Sequence, residues 1–165
     1  MLPQLEYPEA IQHPLPNHSS PGSVLHKNLV VLHCTDGPTA SSAISWFEQS
    51  KAPNRISAHF VIDRDGTVYQ LVPISDVAWH ASECNTRSIG IEHAGIPGTM
   101  LCTTEQYAAS SKLIAWCCQQ IGVTCDREHV QPHSEASPRD GHVQCCGGAL
   151  NVEELVAQAA ALKFT

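Results

Sequence analysis

The sequence predicts a single α/β domain, a central mixed β-sheet flanked by helices, and three observations carry that prediction. Aliphatic and β-branched runs at Leu29–Leu32, Ile56–Ile62, Thr67–Val72 and Ser88–Glu92 alternate with segments of helical periodicity. Asp65-Gly66 stands between two of these runs, and that dipeptide tolerates the positive φ of a hairpin turn. A long amphipathic segment opens with Thr103-Thr104-Glu105-Gln106, the pattern of a capping box, and closes at Gly122.

Residues 1–27 hold Pro3, Pro8, Pro14, Pro16 and Pro21 with little periodicity, so an extended, irregular arm is expected there, ahead of a catalytic domain over 28–165. Leu29–Leu32 is the first core strand, leading into His33 and the turn at Gly37-Pro38. Ala43, Ile44 and Phe47 recur at helical spacing over 40–49, with Thr39 as N-cap and Ala52-Pro53 as the stop. Pro73 closes the hairpin, and Ala78–Ala81 reads as an exposed loop or short helix carrying Trp79 and His80. Ser88–Glu92 is a short central strand with Ile89 and Ile91 on one face and Glu92 at its end. Tyr107, Leu113, Ile114, Cys117 and Ile121 form the apolar face of the long helix. Val123–Val130 is a connection, and residues 131–148 form a loop dense in Pro, Gly, Ser, His and Cys. Asn151 caps a last amphipathic helix running through Leu162.

Composition removes several functions. With nine Lys and Arg in 165 residues, a net charge of −7 and no basic run, nucleic acid is not an expected partner. No apolar run reaches the roughly 20 residues of a membrane span, and no signal segment opens the chain. Eight cysteines lack both disulfide-framework spacing and any CxxC pair, which excludes a zinc finger or ribbon. Cys117 and Cys118 read as small core hydrophobes, while Cys102 and Cys125 flank the same helix and could pair as a disulfide. Ten histidines point more directly at chemistry, since imidazole is a metal ligand and a proton carrier near neutral pH. His33, where a strand leaves the core, suits a metal ligand and equally an ordinary strand-end histidine.

Five short motifs stand in one order: His33-Cys34-Thr35, Ser57-Ala58-His59-Phe60, Ala78-Trp79-His80-Ala81, Ser88-Ile89-Gly90-Ile91-Glu92 and His133-Ser134-Glu135. In that order and at those separations the chain resembles the type 2, zinc-dependent N-acetylmuramoyl-L-alanine amidases over roughly residues 27–163. That family includes phage endolysins, cell-wall-recycling amidases and peptidoglycan recognition proteins. The resemblance implies one Zn2+ per chain held by His33, His133 and Cys145, with Gly147 on the family's glycine. The loop is about two residues longer than usual, so Cys146, His142 and Asp140 stay open as third ligand. Two imidazoles and a thiolate leave one position free, the arrangement of catalytic zinc.

The resemblance further implies that Glu92 is general base and acid. Trp79, His80 and Asn85 would line the substrate groove, Trp79 offering a flat face to a sugar ring. A tyrosine and a lysine that many relatives use are replaced by Ala58 and Val143, which leaves His142 as candidate donor to the oxyanion. His59 reads as structural. The expected activity is cleavage between N-acetylmuramic acid and the L-alanine of the stem peptide, by a monomer acting on peptidoglycan. A phage endolysin held in the host cytoplasm until release is the leading expectation. A muropeptide-recycling amidase and a non-catalytic peptidoglycan-binding module are the alternatives.

Overall fold

The computed structural model describes residues 6–16, 18–19, 26–142, 144–146 and 148–162. In chain order the strands are β1 (Ile11–Gln12), β2 (His18–Ser19), β3 (Leu29–Cys34), β4 (Phe60–Ile62), β5 (Val68–Gln70), β6 (Val77–Ala78), β7 (Ser88–His93) and β8 (Val130–Pro132). The helices are α1 (Ala40–Gln49), α2 (Thr104–Ile121), α3 (His133–Ala136) and α4 (Val152–Ala161). A six-stranded mixed sheet runs β1-β5-β4-β7-β3-β8, and β2 pairs with β6 beside it. β3 lies parallel to both β7 and β8, and β4 is parallel to β7 and antiparallel to β5.

β3 is buried along its whole length, as expected of a parallel strand covered on both faces. Alternation sorts its residues. Val30, Leu32 and Cys34, with Ile89 and Ile91 of β7, join Leu113, Trp116 and Leu155 of α2 and α4 in the main core. Leu29 and Val31 turn the other way, toward Ala81, Cys84 and Ala136. α1 covers that second face further along, where Ala43, Ile44 and Phe47 meet Val61, Leu71 and Ala78.

Local signals act where they were expected. Thr39 Oγ1 accepts from the N–H of Ser42, and Asn151 accepts from that of Glu154. Thr103 and Gln106 complete a capping box, and Gly122 ends α2 in the left-handed region. Gln106 also donates to the carbonyls of Ile62 and Ala94, so the start of α2 is pinned to the ends of β4 and β7.

Four expectations need correction. The strand expected over 56–62 begins only at Phe60, because the Ser57 N–H bonds the carbonyl of Trp79 instead of a sheet neighbour. Ala78 and Ala81 are buried, and Ala78 belongs to β6, so this stretch is no exposed loop. The described residues of the 1–27 arm carry two short strands and are anchored by buried Tyr7, whose ring packs on Phe60 and Trp116. Cys102 and Cys125 are free thiols. The 18-residue α2 that they flank is roughly 27 Å long and holds them apart; Cys102 meets Cys34, and Cys125 meets Cys118. No described helix is long and apolar enough to cross a membrane.

Candidate active site

The alternation that builds the core also builds the site. β3 and β7 run parallel with His33 opposite Glu92, so both side chains leave the sheet on the face away from α2. On the other side of β3, Leu32 is opposite Pro132, the residue before His133. α3 therefore starts beside the end of β3, and the His33 and His133 rings lie 4.7 Å apart between centroids. The 144–146 segment folds back on α3 through a bond from the Ser134 N–H to the Cys145 carbonyl.

The result is a convergent trio. Ligand atoms of His33, His133 and Cys145 all lie within 4.8 Å of one another. Cys145 Sγ is 4.0 Å from His33 Nδ1, against about 3.5 Å for a sulfur and a nitrogen on one tetrahedral zinc. His133 Nε2 donates to Asp140 Oδ2 at 2.9 Å, since the carboxylate can only accept; burial pulls the ring's pKa down, but its bonds to Cys145 and Asp140 outweigh burial and hold it above the ordinary imidazole value. A neighbouring thiol and the two imidazoles hold the Cys145 thiol far below its usual value, so a thiolate is available. His33 is shifted down by burial, which keeps it neutral and able to ligate. Two imidazoles and a thiolate are the donor set of a zinc site with an open position.

Glu92 is the other half of the site. Burial pushes its carboxyl well above the usual carboxylate range, with smaller contributions from Cys145 and Cys34. Its Oε2 is buried without a hydrogen-bond partner. Such a group is costly unless a proton, cation or substrate meets it. Glu92 and the trio line one cleft of about 1280 Å3 that also reaches Trp46, Trp79 and Arg55.

Residues 24–148 match the family described as N-acetylmuramoyl-L-alanine amidase. The chain belongs to that family. N-acetylmuramoyl-L-alanine amidase A of Achromobacter lyticus is 32% identical over 123 residues, 73% of this chain and 68% of that protein. The 1,6-anhydro-N-acetylmuramyl-L-alanine amidase AmpD of Escherichia coli (strain K12) is 40% identical over 95 residues, 51% of this chain and 49% of its own. Among solved structures, a selenomethionine derivative of AmpD superposes with a TM-score of 0.75 at 24% identity, covering 96% of this chain and 98% of that one. The endolysin amidase LysCS from Clostridium intestinale gives 0.75 at 22%, covering 94% and 97%. These two likenesses speak for the fold alone. Family membership makes the chain an amidase.

Within this amidase the three other candidates for the third ligand have their own surroundings. Cys146 Sγ points to the Leu32 carbonyl, 3.0 Å away in the core. Asp140 is spent on His133. His142 is exposed and stacks on the His133 ring at 4.8 Å. Gly147 and Val143 lie outside the described residues. Trp79 is half-buried on the cleft wall, its indole N–H unpartnered among the described residues. His80 lines the cleft, and both of its ring nitrogens are engaged inside the protein, with His33 and with Ser88. Asn85 turns its Oδ1 to the backbone N–H groups of His80 and Ala81 and so shapes that loop. His59 is structural as expected, accepting from the Gly90 N–H and donating to the Asp76 carbonyl.

Trp46, Asp140's partnership with His133, Ser88 and Gly90 were not foreseen. Trp46 carried a signal, being the one large apolar side chain among the serines on the outer face of α1, where it is 65% exposed. Gly90 carried another, because a glycine inside a strand marks a close approach. A Cβ there would come within 2.6 Å of the His80 ring.

Proposed function

We propose that this amidase is a zinc hydrolase that cleaves the amide between the lactyl group of N-acetylmuramic acid and L-alanine of the stem peptide. One observation carries the reading: the convergence of His33, His133 and Cys145 beside a buried carboxylate whose Oε2 has no partner. Zinc held by those three residues supplies Lewis acidity toward a carbonyl oxygen and toward water. Glu92 takes the proton from the attacking water as the carbon–oxygen bond forms. It returns that proton to the alanine nitrogen as the carbon–nitrogen bond breaks, leaving a carboxylate on the lactyl group and a free amine on the peptide. His142 Nε2 or Nδ1, at the exposed edge of the trio, donates to the oxyanion. Trp79 and Trp46 give the cleft flat apolar surfaces for the sugar and peptide. The protein acts as a monomer on the intact wall, in the manner of a phage endolysin.

The likeness to AmpD favours a second reading of substrate size, in which free muropeptides fill the same cleft. Parallel rates on purified sacculi and on a soluble muropeptide separate the two. The central test is zinc by elemental analysis in the protein and in Cys145→Ala, with wall turbidity and mass spectrometry of the released peptides on the same samples. About one zinc per chain, lost together with hydrolysis in the variant, is the expected result. Zinc and hydrolysis both surviving the change would overturn the ligand set. A zinc-loaded chain that binds peptidoglycan without cleaving it would leave a binding module.

A further inference from the structure

The two histidines of the trio are held by different kinds of partner. His133 is backed by the carboxylate of Asp140, a familiar outer-shell arrangement. Among the described residues no carboxylate stands behind His33. Its Nε2 lies 3.0 Å from His80 Nδ1, His80 Nε2 lies 3.2 Å from Ser88 Oγ, and Ser88 Oγ donates to the Cys84 carbonyl at 2.7 Å. From these contacts we infer that Ser88 and His80 are positioning residues that set the tautomer of His33 through a one-way hydrogen-bond wire ending on the Cys84 carbonyl.

The direction follows from the last group. A carbonyl oxygen can only accept, so the single hydroxyl proton of Ser88 is committed to Cys84. Ser88 Oγ is then an acceptor toward His80, and His80 must carry its proton on Nε2. Among the described residues the partners of the His80 ring are His33, Ser88 and the ring of His59, none of them a carboxylate, so a second proton would be an unpaired charge and its Nδ1 is a bare acceptor. His33 answers with a proton on Nε2. That leaves the lone pair of His33 Nδ1 facing Cys145, where a metal ligand is wanted.

The fold spends sequence on keeping this wire in line. Asn85 fixes the backbone of His80 and Ala81 with two bonds of 2.9 and 2.7 Å. Gly90 leaves the clearance on β7 into which the His80 ring settles. His59, whose ring centroid is 5.7 Å from that of His80, closes the far side. Ser88 itself is fully buried and opens β7, the strand that ends in Glu92 and His93. A neutral wire pulls less electron density into His33 than a carboxylate pulls into His133. The trio therefore pairs one strongly and one weakly basic imidazole, which preserves the Lewis acidity of whatever metal it holds.

This inference rests on the zinc reading, and its test separates the two. Long-range 1H–15N spectra of 15N-histidine-labelled, metal-free protein read the tautomer of each imidazole without any metal. Both His33 and His80 are expected with the proton on Nε2. Ser88→Ala, nearly isosteric, should mix the tautomers of His80 and lower zinc affinity about 10- to 100-fold in chelator competition. Ser57→Ala is the control. It removes a buried hydroxyl that accepts from the Trp79 N–H in the same loop but stands outside the wire, and it should alter neither tautomer nor affinity. An Nδ1 proton on either histidine in the unsubstituted protein overturns the inference. So does a Ser88→Ala protein with unchanged tautomers and affinity, or a Ser57→Ala protein that loses affinity equally. Expected tautomers in a chain that takes up no zinc would leave the wire standing and remove the metal assignment instead.

Discussion

The two faces of the β3–β7 pair are made from the same twelve residues and obey opposite rules. Toward α2 the strands present Val30, Leu32, Ile89 and Ile91, which need only shape and volume. Toward the cleft they present Val31, His33, Ser88, Gly90 and Glu92, whose buried side-chain N and O atoms all have partners except Glu92 Oε2, where the chemistry is proposed. Even His93, the polar residue on the helix side, is fully satisfied by the His33 carbonyl and Ser110. One face is thus optimised for stability, and the other holds an unmet demand that only a cation, proton or substrate can meet.

The sharpest way to break this comparison is Glu92→Gln. Turnover should fall about 10²- to 10⁴-fold, the span a general acid–base residue supplies. The metal-free protein should at the same time become more stable, by about 1 kcal/mol or more at neutral pH, because a buried ionisable group is replaced by a neutral isostere. The pH dependence has a definite sign. The folded pKa of Glu92 lies above its ordinary value of 4.5, so the stability it contributes is fully present below that value and is lost as pH rises through the folded pKa. Thermal melts in chelator from pH 4 to pH 8 should therefore show the variant's advantage growing with pH. A variant that is less stable throughout would place Glu92 among the satisfied residues of the core face.

Ile91, one residue earlier and on the opposite face, should do the reverse. Ile91→Ala should cost about 2–5 kcal/mol of stability from the cavity left against α2. Turnover per folded molecule should be unchanged at a temperature where the variant remains folded. Denaturant titration paired with the hydrolysis assay measures both. A large fall in turnover of the folded fraction would mean that the two faces are coupled through the strand.

How much of this was legible in the chain follows the same division. Thr39, Thr103 with Gln106, Gly122 and Asn151 act within one turn of themselves, so the helix ends they announce sit where they were expected. The Asp65-Gly66 hairpin and the Ile89/Ile91 face were legible for the same local reason. The pairings of β1 with β5 and of β2 with β6 were not, because two-residue strands have no periodicity and their partners lie more than 50 residues away. In the site, the motif order brought His33, His133, Cys145 and Glu92 forward together. The contacts of His80 could not be read, since they depend on Ser88 across the sheet and on the clearance above Gly90. Cys145 and Cys146 show the limit most plainly: they are neighbours of identical chemistry, one in the trio and one against Leu32 in the core.

The mildest test concerns Trp46, which belongs to neither rule. α1 buries Ala40, Ala43, Ile44 and Phe47 and needs nothing from Trp46 for packing, yet the indole stands 65% exposed on the cleft rim near Ile56 and Arg55. The proposed function makes this ring a contact for the sugar or peptide that enters the cleft. Trp46→Ala should leave the melting temperature nearly unchanged. It should raise KM about fivefold, about 1 kcal/mol of lost contact, with kcat preserved because the side chain is on the rim and not at the reacting carbon. Trp46→Phe should recover part of the loss, since a smaller ring still offers a flat face. If both variants keep the original KM on sacculi and on soluble muropeptide alike, the substrate passes Trp46 by, and recognition falls to Trp79 on the inner wall.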